Sequence, residues 1–100
     1  MSKASDDVFA ERQRQIEVEG WSPEHDDRHI DGSLAAAGAC YALRSMGDLT
    51  SVYRLWPRSW NFGWLKPDTR RRCLVKAAAL LVAEIERLDR MADANAEHSI

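Results

Sequence analysis

The sequence predicts an all-α fold: a small three-helix domain with an irregular Trp-rich connector before a long C-terminal helix. Three observations carry this. Leu74, Ala77, Ala78, Leu81, Ile85 and Leu88 recur at i, i+3, i+4 and i+7, the period of one apolar helix face. The run SLAAAGACYAL spaces Leu34, Ala37 or Gly38, and Tyr41 at helical intervals, with small residues over much of its circumference. Between these segments Pro57, Gly63 and Pro67 interrupt any long element.

The first helix is expected over residues 6–19. Ser5 can cap it, Asp6 and Asp7 suit its positive end, and Gly20 offers a left-handed stop. Val8, Phe9, Ile16 and Val18 form a thin inward stripe, leaving Glu11, Arg12, Arg14 and Glu17 in solvent. The second helix begins near Asp31, a good cap, and runs to about Leu43 as the central, most buried element. Gly38 costs about 1 kcal/mol relative to Ala in a helix interior, which implies a packing reason for it. Residues 44–51 read as a loop, and VYRLWPRSWNFGWLKP as an aromatic connector. Asp68 or Thr69 then caps the helix from Arg70 to about Met91, with a Glu86–Arg90 ion pair on its outer face. The ordered core spans about 6–91, with a flexible tail over 92–100. No repeat or heptad series stands out.

A chain of 100 residues is one domain, here with 45% hydrophobic and 30% charged residues, the balance of a globular protein. A net charge of -2 gives no whole-molecule attraction to nucleic acid, which is not an expected partner. The longest apolar run, Ala77–Ala83, is far too short for a bilayer, and MSKASDD is no signal peptide, so no membrane association and a cytoplasmic location are expected. Cys40 and Cys73 sit in apolar helical patterns without metal or disulfide spacing and read as reduced core thiols. Four Trp in so short a chain leave a homo-oligomer open.

The densest reactive stretch is GWSPEHDDRH, with Trp21, His25, Asp26, Asp27 and His29 between two helices. On a helix His25 and His29 would share a face, and with Asp26 they are the weak alternative for a metal site. Equally, Ser22, Asp26 and Asp27 could simply cap and turn the chain. Trp56, Trp60 and Trp64 recur every four residues among Arg54, Arg58 and Lys66, suited either to stacking on a ligand or to packing the core. Arg70, Arg71 and Arg72 open the last helix, an unfavourable place for cations unless an anion or internal carboxylates compensate. No Gly-x-Ser-x-Gly elbow, phosphate loop or activated Cys is present; no catalytic residue and no cofactor are assigned.

The segments ERQRQIEVEGW, EHDDRH, LAAAGACYAL, WP…W…WLKP and RRRCLVKAAALLVAEIERLDR resemble an uncharacterised family of small phage and prophage proteins over residues 11–91. That resemblance implies a bacteriophage accessory protein in an infected or lysogenic host. More distantly, Arg14–Trp21, Leu65–Pro67 and Arg70–Leu81 are similar to parts of the ryanodine-receptor repeat domain, with Ser22-Pro23-Glu24 in place of its aromatic and glycine. This second likeness implies a site for nucleotide-like ligands. The leading expectation is therefore a binder of a nucleotide-derived small molecule that sequesters a host anti-phage signal. It would use Trp21, His25, Asp26, Asp27, His29, Trp56, Trp60, Trp64, Arg70 and Arg71. The alternatives are a module that binds a host protein through the Trp-rich loop, and a metal-dependent phosphohydrolase using the HDDRH loop.

Overall fold

Ser2 opens the first helix, three residues ahead of the expected cap at Ser5. Its hydroxyl accepts from the Ser5 amide and the Ser5 hydroxyl accepts from the Ser2 amide, both at 3.1 Å, which satisfies donors that the first helical turn leaves free. The computed structural model describes residues 2–98, and among them there is no strand. Helix α1 (Lys3–Glu17) ends as Gly20 turns into the left-handed region at φ +74° and the Trp21 amide reaches back to the Gln15 carbonyl at 2.9 Å. Ser22 then caps a single turn, α2 (Pro23–Asp26), with Pro23 in the first helical position.

Helix α3 (Ser33–Ser45) starts where Asp31 accepts from the Ser33 amide at 3.1 Å, and ends two residues beyond the expected Leu43. A short helix follows that the sequence reading had as loop and irregular connector. Asp48 accepts from the amide and the hydroxyl of Ser51, nucleating α4 (Leu49–Leu55), and Pro57 holds Trp56 extended and stops it. A 3-10 turn at Phe62–Trp64 leads to α5 (Arg70–His98), whose Arg72 amide is capped by Thr69 at 3.2 Å. The expected flexible tail is helical through His98, and residues 99 and 100 lie outside the described residues. Three long helices thus match the expected architecture, and α2 and α4 are additions.

Helix α5 packs against α1, α2 and α3, while α3 also carries α4. The core joins Leu34, Ala37, Cys40 and Tyr41 of α3 to Cys73, Ala77 and Leu80 of α5, closed over by Val52, Trp56, Trp60 and Leu65. Both cysteines are free and buried, as expected. Gly38 has its packing reason: a Cβ there would lie 3.2 Å from the Ala77 carbonyl oxygen and from the Leu81 side chain.

Polarity is where the structure departs most from the expected pattern. On α1, Glu11, Arg12 and Gln15 are buried, whereas Phe9 is 68% exposed and Val18 69%. On α5, Cys73, Ala77, Leu80, Ala83, Glu84 and Arg87 face inward, and Leu74, Leu81, Ile85 and Leu88 of the apolar stripe are exposed. The expected Glu86–Arg90 pair is replaced by longer reaches: Glu86 accepts from Arg12 at 3.2 Å, and Arg90 donates to Asp27 at 2.7 Å. No described helix is long and apolar enough to cross a membrane.

Candidate functional site

The inward face of α1 supplies a polar floor. Arg12 fans its guanidinium over three elements, donating to Asp26 at 2.6 Å, to the Trp21 carbonyl at 3.1 Å and to Glu86 at 3.2 Å. Asp26 is fully buried, and its other oxygen lies 3.3 Å from His25 Nδ1. His25 Nε2 in turn lies 3.4 Å from His29 Nε2. Burial, with the His25 imidazole beside it, holds His29 below its ordinary pKa of 6.5.

One turn away, Glu11 accepts from Arg14 at 2.9 Å and also from Arg72. Burial pushes its carboxyl up, but these two guanidinium bonds outweigh it and hold Glu11 below the ordinary 4.5. Gln15 Nε2 donates to Glu11 at 3.2 Å, which fixes the amide orientation because a carboxylate only accepts. Its Oε1 is therefore left buried with no donor among the described residues.

The rings form a connected wall. Trp21 stacks near His25 at 6.4 Å and touches Trp60 at 5.7 Å, and Trp60 reaches His29 at 5.4 Å and both Trp56 and Trp64 at 5.7 Å. Trp56 and Trp60 are buried core residues, whereas Trp64 remains nearly half exposed. The Tyr41 hydroxyl donates to the Trp64 carbonyl at 3.1 Å, and burial pushes its pKa up to about 12.

These groups line a narrow recess with a cavity volume of about 50 Å³. Glu11 and Gln15 line its floor, and Trp21, Tyr41 and Trp64 its walls. Arg14, Glu19, Lys66 and Lys76 complete its lining. Lys76 is held by Asp68 at 2.8 Å, while Lys66 has no ion pair among the described residues.

Of the residues singled out from the sequence, Trp21, His25, Asp26, His29, Trp56, Trp60 and Trp64 gather in one cluster. Only Trp21 and Trp64 of these reach the recess. Asp27 turns away to Arg90. Arg71 donates to Asp7 at 2.8 Å and Arg72 to Glu11, so α1 carboxylates compensate the cations at the start of α5, and Arg70 is exposed. Around the two imidazoles no third His, Cys, Asp or Glu completes a metal position among the described residues. Sequence reasoning missed Glu11, Gln15, Tyr41, Lys66 and Lys76. The i, i+4 spacing of Glu11 and Gln15 was the available signal, since it sets both on one face of α1.

Comparison with known proteins finds no matching family model, no matching curated protein and no matching solved structure.

Proposed function

We propose that this domain is a non-catalytic binder of a small nucleotide-derived molecule, which lies across the mouth of the recess between α1, the connector and α5 and sends only its edge inside. The observation that carries the reading is a buried, unpartnered acceptor, Gln15 Oε1, on a residue that lines a recess bordered by two indoles. An orphaned buried acceptor costs about 1–3 kcal/mol, a cost that a ligand N–H would remove. A planar base has indoles to meet in Trp21 and Trp64, each of which packs against the buried Trp60. Its amino or imino hydrogens suit Gln15, ribose hydroxyls suit the carboxylates of Glu11 and Glu19, and a phosphate suits the free Lys66 of the lining. The binding residues differ from those first expected, with Lys66 in the place given to Arg70 and Arg71. The resemblance to phage proteins supports the role of sequestering a host signal in the cytoplasm of an infected or lysogenic bacterium.

Isothermal titration of nucleotide-free protein with mononucleotides, dinucleotides and cyclic nucleotide signals tests this. At least one should bind, Gln15→Met should weaken it roughly tenfold, Trp64→Ala should weaken it further, and Arg70→Ala should leave it unchanged. Absence of binding across the series, or binding indifferent to Gln15 and Trp64, would defeat the proposal.

A protein-binding reading has its own support in the outward side of the connector. Tyr53 and Phe62 stack at 5.0 Å with an interplanar angle of 9°, both exposed, and Leu55 of the same helix as Tyr53 is exposed too. Trp60 is unsuited as the hot spot because it is buried. A pull-down in which Tyr53→Ala loses a partner that the wild type retains would favour this reading over the first.

A further inference from the structure

The apolar face that α5 leaves outside the core has the pattern of a helix-pairing seam. Leu74, Ala78, Leu81, Ile85, Leu88 and Ala92 follow one another at alternating spacings of four and three residues. That spacing keeps a row of side chains turned toward one partner helix. The large members of the row are all exposed, Ile85 to 57%. From Leu74 to Leu88 the row extends about 21 Å at the rise of an α-helix. Val82 beside it lines an apolar groove with Val8 and Phe9 of α1, so the surface broadens beyond a single helix.

We infer that this face joins a second copy of the same chain, α5 against α5 in antiparallel pairing. Two observations argue for that occupant. The first is area: the chain exposes 6526 Å², whereas a folded monomer of its 11.4 kDa exposes roughly 5800 Å². The difference is close to the roughly 800 Å² that each partner of a stable dimer buries. The second is charge. Arg70 and Arg71 stand at the start of the seam and Asp89 near its end, and neither Arg70 nor Asp89 has an ion pair among the described residues. Antiparallel pairing with Leu74 opposite the partner's Ile85 brings the two arginines of each copy level with the partner's Asp89. Parallel pairing would set arginines on arginines and Asp89 on Asp89, which repel.

The test is the mass of the full chain by sedimentation equilibrium, with Ile85→Arg and Leu88→Arg as separate variants and circular dichroism to confirm that each keeps its helices. Both positions lie outside the core, and two variants guard against one failing to fold. The expected result is twice the 11.4 kDa chain mass for the wild type and the single chain mass for the folded variants. A wild type that is monomeric at every accessible concentration overturns the inference, as does any assembly that survives both substitutions. Orientation is read by disulfide cross-linking, since the native Cys40 and Cys73 are buried. Leu74→Cys mixed with Ile85→Cys should form mixed cross-links in preference to self cross-links; efficient self cross-linking of Leu74→Cys alone overturns the antiparallel arrangement.

Discussion

Asp26 and Asp27 are adjacent and chemically identical, yet the fold gives them opposite weights. Asp26 is sealed from solvent and bound to Arg12 at 2.6 Å, whereas the Asp27 side chain is 50% exposed and meets Arg90 at 2.7 Å. Removing one partner of a buried pair costs about 3–5 kcal/mol, and exposed pairs are worth at most about 1 kcal/mol. Asp26→Asn should therefore destabilise the domain by about 3 kcal/mol in urea denaturation, and Asp27→Asn by less than about 1 kcal/mol. Equal losses would contradict the assignment of Arg12–Asp26 as the internal tie. His29 makes a pH-dependent contribution of definite sign. Its folded pKa lies below the ordinary 6.5, so above that pH both folded and unfolded chains hold it neutral. As the pH falls through 6.5 the unfolded chain takes up the proton first, and stability declines until the folded pKa is passed. Glu11, depressed below 4.5, acts in a separate window: its contribution is present above 4.5 and is lost as the pH falls further. Thermal melts should show a decline in stability beginning just below pH 6.5 that His29→Gln flattens, leaving the deeper acid loss in place.

At the level of elements, α3 was legible because its small residues leave little choice but close packing, and Gly38 marks a close approach to α5. Gly38→Val should cost about 1–3 kcal/mol by overpacking, read as a lower denaturation midpoint, since the Ala77 backbone oxygen at 3.2 Å cannot rotate away as a side chain could. A neutral result would mean that α3 and α5 can separate freely there. Helix α4 was missed because its stretch ends at Pro57 and holds one helical turn more than a loop, with the Asp48–Ser51 cap as its only local signature. The periodicity of α5 announced a helix, and of its stripe Ala77 faces the core while the large residues face outward. Leu74, Leu81, Ile85 and Leu88 fit the period of a core stripe, but Cys73, Ala77 and Leu80 fit it as well, and these are the residues buried with α3 in the core. The 4-3 seam was thus hidden inside a pattern read as a single apolar helix face.

For the whole molecule, the composition of the site was more legible than its geometry. The Trp and His residues were visible as a chemical crowd, and their rings do cluster. Glu11 and Gln15 escaped notice because polar residues on an amphipathic helix ordinarily face water, and only the fold reveals that α1 turns them inward. Distances between Arg71 and Asp7, or Arg72 and Glu11, span more than half the chain and leave no trace in local pattern.

That inverted first helix also governs how the molecule opens. The α3–α5 contact is apolar and close, whereas α1 is tied to α5 and α2 largely through Arg71–Asp7, Arg72–Glu11, Arg12–Asp26 and Arg12–Glu86. Segments with few buried apolar contacts detach at a free energy below that of global unfolding. Native-state hydrogen exchange should therefore show the amides of Gln13–Glu17 exchanging by a sub-global opening while those of Ala37–Tyr41 wait for complete unfolding; equal protection would contradict this. Because Glu11 and Gln15 travel with α1, each such opening dismantles the recess floor, and a bound molecule there would slow the exchange of α1 alone.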